Sequence, residues 1–284
     1  MQPTIKVDTI FGRIEAFEND LITNQLISFG AHTRPDLAFL LSFVDQGDKI
    51  FDVGGHIGTF GIPLAQKTGT SGRVLIVEGA VEIFEVLSRN VESRCNGLNV
   101  EVLNALIVPA DFSGKWVMDE QNTGASYIMA SNAANSSSLR LSLDRLSTDY
   151  FLPRVIKIDI EGFEWSALTE SKSILVSKPI VYAEVCDEAL RRAGGSIDSL
   201  DGLFLQNGYR FFINVGERNA ANDRFVIREI SRLREGGPFF DVLAIHRDDE
   251  RLERSTGMRR RRLATTGKKR VTHPTALKKR VRRD

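Results

Sequence analysis

Short apolar runs alternate with amphipathic segments along most of the chain. The runs are rich in β-branched residues and end at glycine or a charged side chain, as buried strands do. They occupy residues 49–53, 73–78, 100–103, 155–160, 179–185, 209–214 and 239–246. Helical spacing of apolar positions predicts helices over residues 57–67 (with Pro63 in the first turn), 81–95 and 198–207. This alternation predicts an α/β fold, in which helices cover both faces of a mostly parallel sheet.

Two segments depart from this alternation. Residues 1–46 contain a candidate strand at 9–17 and a candidate helix at 35–44, and we expect this segment to pack against the domain as a lead-in. Residues 111–143 contain turn-forming residues and a Ser- and Asn-rich stretch, which predicts an exposed loop between irregular strands. The α/β domain itself is therefore predicted over residues 47–246.

Charge is divided unevenly along the chain, although the formal net charge is only +1. Residues 247–284 contain 15 Lys and Arg against five Asp and Glu, a net charge of +10. The preceding 246 residues contain 23 basic and 32 acidic side chains, a net charge of −9. We therefore predict an acidic folded domain and a basic, disordered tail, whose clusters at 259–283 would contact a polyanion such as RNA or an anionic lipid. A solvated extension without a partner is the alternative.

Composition excludes several classes of protein. With 42% hydrophobic and 26% charged residues, the chain has the composition of a globular domain. No apolar run reaches the roughly 18 residues of a transmembrane helix, and the N-terminus lacks the pattern of a secretory signal. The two cysteines, Cys95 and Cys186, have no metal-type spacing, and the four histidines are scattered. These features exclude a disulfide scaffold, predict no metal site and indicate a cytoplasmic protein.

The sharpest motif follows the first strand of the domain and reads DVGGHIG, residues 52–58. Glycines between a strand and a helix let the backbone turn tightly and let a ligand approach closely. A dinucleotide fingerprint needs glycine at positions i, i+2 and i+5, and neither Gly54 nor Gly55 begins such a series. The motif therefore argues against NAD. Its alternative interpretation is a tight strand-to-helix turn without a ligand.

A second acidic residue, Glu78, ends the next strand, 20 residues beyond Gly58. In doubly wound folds this position faces a ribose, whose hydroxyl protons a carboxylate can accept. Together with Asp52 at the start of the loop, Glu78 indicates a nucleoside ligand without a pyrophosphate. S-adenosyl-L-methionine meets this description, because its cationic amino-acid end suits an acidic loop.

Three more carboxylates gather at the ends of two later strands. In the segment VIKIDIEGFE (155–164), regular alternation places Lys157, Asp159 and Glu161 on one side, and Glu184 ends the following strand. Charges at the carboxyl end of a buried strand usually face a crevice. The carboxylates could orient a hydroxyl, accept its proton or hold a cation. The alternative is structural, with Lys157 paired to Asp159 or Glu184 and Glu161 capping a helix.

Six segments carry a family resemblance: FDVGGHIGTF, VEGAVEIFEVLSRNV, LNALIV, SLDRL, VIKIDIEGFEWSAL and IVYAEV. With them, residues 36–246 resemble the FkbM-type S-adenosylmethionine-dependent methyltransferases. The IKIDIEG segment with its preceding Ser-Leu-Asp is the most diagnostic, since class I methyltransferases broadly share the glycine loop. The family typically has asparagine or a small residue where this chain has His56. This departure concerns the contact with the methionine part of the cofactor.

The resemblance implies a class I, Rossmann-like methyltransferase fold, with a doubly wound, mostly parallel sheet of seven strands, one of them reversed. It implies that S-adenosyl-L-methionine is held by the glycine loop, that Glu78 binds its ribose and that Asn104 or Ala105 lies near its adenine. The cofactor-binding residues predicted in this way are Asp52, Gly54, Gly55, His56, Gly58, Glu78, Asn104 and Ala105.

On the acceptor side, the resemblance implies that Asp159, Glu161 and Glu184 are candidate catalytic residues. Asp159 or Glu161 would accept the proton of a hydroxyl. The family is associated with O-methylation of hydroxyls on sugars or secondary metabolites, so the expected acceptor is a small molecule or a glycan.

Two other functions stay open on the sequence alone. A methyltransferase-like domain without activity could bind nucleic acid or another anionic partner through the tail. An RNA methyltransferase would use tail and domain together. Against it, the acidic domain is unfavourable for a phosphate backbone, and the fourth core strand lacks the Asn/Asp-Pro-Pro-Tyr motif of N-methylating enzymes. We therefore predict an O-methyltransferase that uses S-adenosylmethionine.

Overall fold

The computed structural model describes residues 2–131 and 139–255. Its strands are β1 Thr4–Thr9, β2 Gly12–Phe17, β3 Lys49–Val53, β4 Arg73–Glu78, β5 Val100–Leu106, β6 Gly114–Val117, β7 Tyr127–Ala130, β8 Leu139–Arg140, β9 Val155–Ile158, β10 Ile180–Cys186, β11 Tyr209–Asn214, β12 Ile227–Ile230 and β13 Phe239–His246. Its α-helices are α1 Leu21–Phe29, α2 Arg34–Leu41, α3 Gly61–Thr68, α4 Val81–Arg94, α5 Leu143–Asp149, α6 Glu164–Glu170, α7 Lys172–Val176, α8 Asp187–Arg192, α9 Ile197–Gln206 and α10 Leu252–Ser255.

The central sheet has the strand order β12-β11-β13-β10-β9-β3-β4-β5-β8. Its seven central strands, from β11 to β5, have the predicted arrangement: parallel pairs join β10, β9, β3, β4 and β5, and β13 is reversed. The described sheet nevertheless has nine strands rather than seven. The two additions, β8 and β12, are short, partly exposed strands at the edges, so their sequences carry no continuous apolar run.

Two hydrophobic layers cover the faces of this sheet. Alternate residues of one strand enter opposite layers: in β4, Val74 and Ile76 pack on one side, and Leu75 and Val77 pack on the other. Because both faces are buried, nearly every position of a central strand has to be apolar. The continuous apolar runs of the sequence follow from this burial.

The lead-in is a hairpin followed by two helices, which corrects the single strand predicted at 9–17. Gly12, with a φ of +111°, turns the chain between β1 and β2. The hairpin is joined to the domain by Asn90 of α4, whose side chain accepts from the Glu15 amide at 2.7 Å and donates to the Glu15 and Ile57 carbonyls, each at 2.9 Å. Helix α2 begins and ends within a few residues of its predicted position.

The folded part of the chain extends beyond the predicted boundary at residue 247. Arg251 is only 6% exposed, and its guanidinium donates to both carboxylate oxygens of Asp48, at 2.6 and 2.8 Å, and to the Phe43 carbonyl at 2.8 Å. This buried ion pair fixes the stretch before the short helix α10 to the loop between α2 and β3. The basic clusters at 259–283 and most of the predicted polar loop at 131–138 lie outside the described residues, so their roles stay predictions.

Cys95 and Cys186 are both free. None of the helices in residues 2–131 and 139–255 combines the length and the hydropathy needed to span a bilayer.

Candidate active site

A cavity of about 480 Å³ opens at the carboxyl ends of the central strands β3, β4, β9 and β10. Its volume lies within the range of roughly 300–1,000 Å³ that small-molecule sites occupy. Loops after these strands line it, together with the lead-in, the β6–β7 hairpin and the loop after β11. This is the edge at which open α/β sheets bind ligands.

The structure separates the predicted cofactor-binding residues into two groups. Four of them line the cavity: Gly54, His56, Glu78 and Ala105. The other four are not among the described residues that line it: Asp52, Gly55, Gly58 and Asn104. The three candidate catalytic residues all line it: Asp159, Glu161 and Glu184.

The glycine loop packs against the loop after β9 so closely that a side chain is excluded. Gly54 has a φ of +79°, and a Cβ atom on it would lie 1.7 Å from the Asp159 carbonyl oxygen. At Gly55, a Cβ atom would lie 2.1 Å from the Ile76 side chain of β4. One glycine thus brings two cavity-lining loops together, and the other lets the loop lie flat on the sheet.

Glu78 is held in place by backbone amides of the loops around it. Its Oε2 accepts from the His56 amide at 2.9 Å, and its Oε1 accepts from the Ala80 amide at 2.8 Å. The Asn104 side chain holds the backbone of the same residue, donating to the Glu78 carbonyl at 2.8 Å. Burial raises the pKa of Glu78 although these amides oppose the rise. Each carboxylate oxygen keeps a lone pair that can accept a ribose hydroxyl.

Lys157 joins the glycine loop to the acceptor side through a buried charge cluster. Its Nζ donates to the Gly54 carbonyl at 2.8 Å and lies 3.6 Å from Asp52 and 3.4 Å from Asp159. Burial raises the pKa of Asp52 to about 6, against the opposing charge of Lys157. Burial disfavours the ammonium, yet the charges of Asp159 and Asp52 raise the pKa of Lys157 above its ordinary value. Asp52 thus lies fully buried beneath the loop, paired with Lys157, and its contact with the cofactor stays a prediction.

Asp159, Glu161 and Glu184 form one acidic cluster. Their ligand oxygens lie within 4.8 Å of one another, close enough for a cation to bridge them, so the absence of a metal stays a prediction. Burial, followed by the charges of Asp159 and Glu164, raises the pKa of Glu161 to about 8. Burial and the charges of Asp159 and Glu161 raise the pKa of Glu184 well above its ordinary value. Within the cluster, Glu161 therefore exchanges a proton near neutral pH.

Glu161 does not cap α6, which begins without a side-chain cap. Its neighbour Glu164, the first residue of α6, binds amides of the preceding loop. Glu164 Oε1 accepts from the Ile160 amide at 2.8 Å and from the Gly162 amide at 3.3 Å. Glu161 instead has a φ of +55°, an uncommon conformation for a residue with a side chain. Such strain concentrates at functional sites. The backbone turns its side chain into the cavity, where the Arg192 guanidinium lies 4.0 Å away.

The cavity fits S-adenosylmethionine at three points. Glu78 offers free lone pairs to a ribose at the end of β4. An apolar wall beside it can hold a planar base and consists of Ala105, Leu106, Ile107, Val108, Trp116 and Phe163. Gly79 leaves room there, since a Cβ atom on it would lie 2.5 Å from Leu106. The acidic cluster complements a cationic ligand.

The family model of the methyltransferase FkbM domain matches residues 52–211, more than half of the chain. The protein belongs to this family. It is a methyltransferase that uses S-adenosylmethionine, and the predicted fold, enzyme class and cofactor are confirmed.

The protein is also similar to solved structures at low identity. A precorrin-6y C5,15-methyltransferase from Geobacter metallireducens is 13% identical, with 74% of this chain and 86% of that chain covered and a TM-score of 0.42. A SAM-dependent methyltransferase from Aquifex aeolicus is 13% identical, with 75% and 90% covered and a TM-score of 0.42. TYW2 from M. jannaschii, in complex with AdoMet, is 11% identical, with 87% and 88% covered and a TM-score of 0.44. No curated protein matches the sequence.

The sequence analysis missed the cavity residues that lie outside residues 52–211, the segment matched by the family model. The clearest are His32 in the lead-in and Arg218 in the loop after β11. Thr123, in the segment predicted as irregular, accepts from His56 Nε2 at 2.8 Å while its hydroxyl donates to Asp20 at 2.9 Å. Two of the four scattered histidines thus meet at one site. No motif marks them, because only the tertiary fold brings them together.

Proposed function

We propose that the protein methylates a hydroxyl group of a small molecule or a glycan. The observation that carries this proposal is the position of Asp159, Glu161 and Glu184, which line the same cavity as Glu78 and the glycine loop. A hydroxyl is a weak nucleophile until it loses its proton, whereas a basic nitrogen already has a free lone pair. A proton acceptor beside the cofactor therefore suits a hydroxyl better than an amine as the methylated group. An acidic cluster in which burial raises the pKa of Glu161 and of Glu184 supplies such an acceptor.

The chain's own residues have two tasks in this reaction. Bound S-adenosylmethionine supplies an electrophilic methyl group on a positively charged sulfonium. Glu78 and the glycine loop hold the cofactor, and alignment of the two reactants is worth several kcal/mol, up to roughly 7–11 kcal/mol in favourable cases. The acidic cluster orients the hydroxyl and takes its proton, which typically contributes about 10²–10⁴-fold in rate.

Within the acidic cluster, Glu161 suits the role of base better than Asp159. Asp159 is engaged by the ammonium of Lys157 at 3.4 Å, whereas the nearest cation to Glu161 lies 4.0 Å away. A base works best when its pKa lies near the working pH, and the pKa of Glu161 is about 8. We therefore assign proton acceptance to Glu161 and orientation of the hydroxyl to Asp159.

Mass spectrometry of the purified protein tests the first part of the proposal through co-bound S-adenosylmethionine or S-adenosylhomocysteine. Labelled S-adenosylmethionine then serves to screen polyols, glycans and phenols. Asp159→Asn should lower turnover at least tenfold while cofactor affinity stays within about twofold, with the exposed Asp149→Asn as the matched control. The proposal is wrong if label is transferred to RNA but to none of the small hydroxyl compounds. It is also wrong if Asp159→Asn retains wild-type turnover.

A further inference from the structure

His32 lines the cavity, and the proposed reaction gives it no role. It lies between α1 and α2, in the lead-in, outside the residues that the family model matches. Its ring meets Phe60 edge-on at a centroid distance of 6.3 Å, and Lys157 Nζ lies 5.5 Å from the centre of the same Phe60 ring. His32 therefore stands across one aromatic ring from the Lys157–Asp159 pair, at the acceptor end of the cavity.

Hydrogen bonds fix the tautomer of His32. The Thr33 amide donates to Gln25 Oε1 at 3.3 Å, which identifies that side-chain atom as the oxygen. His32 Nδ1 lies 2.8 Å from the same oxygen, so Nδ1 carries the proton. Burial, followed by the charge of His56, lowers the pKa of His32 to about 4, and the ring is neutral at neutral pH. Nε2 consequently carries a lone pair.

Nε2 has no hydrogen-bond partner in the part of the chain that the structure describes. A nitrogen of this kind on a cavity wall accepts a hydrogen bond from a ligand. A hydroxyl can donate that bond, whereas a phosphate or carboxylate oxygen cannot. The atom thus discriminates between classes of acceptor.

The cations of the cavity point to the same discrimination. Arg218 is paired with Asp36 at 2.9 Å and with Asp241, and Lys157 is paired with Asp52 and Asp159. Among the described cavity residues, both cations are therefore already neutralised. An anionic acceptor would meet the acidic cluster without a free cation to balance it, which costs affinity.

We propose that His32 Nε2 accepts a hydrogen bond from a hydroxyl of the methyl acceptor, and that the site thereby selects polyhydroxylated acceptors over anionic ones. This inference rests on the proposed O-methylation. It makes His32 a specificity-determining residue that the lead-in adds to the family's domain. Gln25 and Thr33 act through His32, since they hold its tautomer.

The test compares wild type, His32→Phe and His32→Gln. The acceptor probes are myo-inositol and methyl α-D-glucopyranoside, with an inositol monophosphate as the charged counterpart, and calorimetry measures binding of S-adenosylmethionine. Phenylalanine keeps the packing against Phe60 and removes the lone pair, so KM for the uncharged probes should rise about tenfold, with kcat within about twofold. Glutamine places its Oε1 near the position of Nε2 and should restore most of the loss.

The outcomes separate this inference from the proposed function. Wild-type KM in His32→Phe, a fall in kcat at unchanged KM, or a preference for the phosphorylated probe would each overturn it. Weaker binding of S-adenosylmethionine in His32→Phe would place His32 in the cofactor site and overturn it as well. If wild type binds the cofactor but methylates neither polyol, the acceptor class is wrong. If wild type does not bind the cofactor, the proposed function itself fails.

A spectroscopic measurement checks the tautomer without any acceptor. The imidazole ¹⁵N spectrum of the histidine-labelled protein, with His32→Phe to assign the signal, should show a neutral His32 protonated at Nδ1 at pH 7. A proton on Nε2, or a charged ring, would overturn the proposal.

Discussion

The matched segment, residues 52–211, and its flanks contribute different chemistry to one cavity. The matched segment supplies all the carboxylates among the described lining residues, at the ends of β4, β9 and β10. The flanks, residues 2–51 and 212–255, supply a neutral histidine and an arginine that is already paired. The reactive charge thus belongs to the family's domain, while the flanks enclose the cavity and shape the acceptor end. Variants that change only the matched segment or only the flanks test this division of roles.

The largest effect is expected at the buried ion pair between Arg251 and Asp48, which joins the two flanks. Arg251→Met leaves Asp48 buried without its partner, since both side chains are less than a tenth exposed. Breaking a buried pair on one side typically costs ~3–5 kcal/mol. We expect urea denaturation to show a loss of that size in the free energy of unfolding. The control is Arg254→Met, whose half-exposed pair with Asp45 is worth at most ~1 kcal/mol. Equal losses of stability in both variants would show that the buried pair contributes no more than the exposed one.

Glu78→Gln affects the other side of the comparison. The substitution keeps the shape but removes the charge that accepts the ribose hydroxyls, and hydrogen bonds to charged groups are worth about 1.5–3 kcal/mol. Calorimetry should show affinity for S-adenosylmethionine falling about 10- to 100-fold. Glu82→Gln, on the exposed first turn of α4, is the control. Unchanged affinity would remove Glu78 from the cofactor site.

Asp20 lies at the junction of the two parts and sharpens the comparison. Its carboxylate caps α1 and also accepts from the Thr123 amide and hydroxyl. The same hydroxyl accepts from His56 Nε2. Asp20→Ala should cost about 1–2 kcal/mol of stability as a lost cap, and should weaken cofactor binding about three- to tenfold. Ser196→Ala removes the cap of α9, away from the cavity, and should leave binding unchanged. Equal binding by the two variants would show that the flank does not reach the cofactor site.

The remaining effect is the pH dependence of methyl transfer, which tests the matched segment alone. Because the pKa of Glu161 is raised to about 8, its carboxyl is mostly protonated at pH 7 and becomes a base as the pH rises through 8. The methyl-transfer rate at saturating substrates should therefore rise about tenfold from pH 7 to pH 9. Glu161→Gln should give a low rate with no such rise. A flat profile in wild type would assign the proton to another group.

Apolar patterning predicted the interior of the fold because both faces of the central strands are buried. Strands β11 and β13 begin and end at the predicted residues. Strand β12 was missed, since Arg228 and Glu229 at its centre are exposed and charged. Strand β1 was missed, and the strand predicted at 9–17 extends β2 across the turn, because Ile10 and Phe11 at the turn are apolar and resemble strand residues.

The candidate site was predictable where it lies at strand ends. Glu78, Asp159 and Glu184 sit where parallel strands meet a cavity, a position that sequence order alone indicates. Asp52 satisfies the same pattern but is fully buried, since a pattern gives the strand and not the direction in which a carboxylate turns. His32 and Arg218 reach the cavity through long-range packing, which no local spacing records.

The contacts between the two flanks have a consequence for synthesis of the chain. Asp36 is bound by Asn214 and Arg218, and Asp48 is bound by Arg251, which follows it by 203 residues. A growing polypeptide emerges from the ribosome N-terminus first. The N-terminal flank therefore lacks its contacts with Arg218 and Arg251 until nearly the whole domain has been translated. Nascent chains arrested near residue 215 should accordingly be cut by protease within the lead-in, whereas chains released after residue 255 should resist.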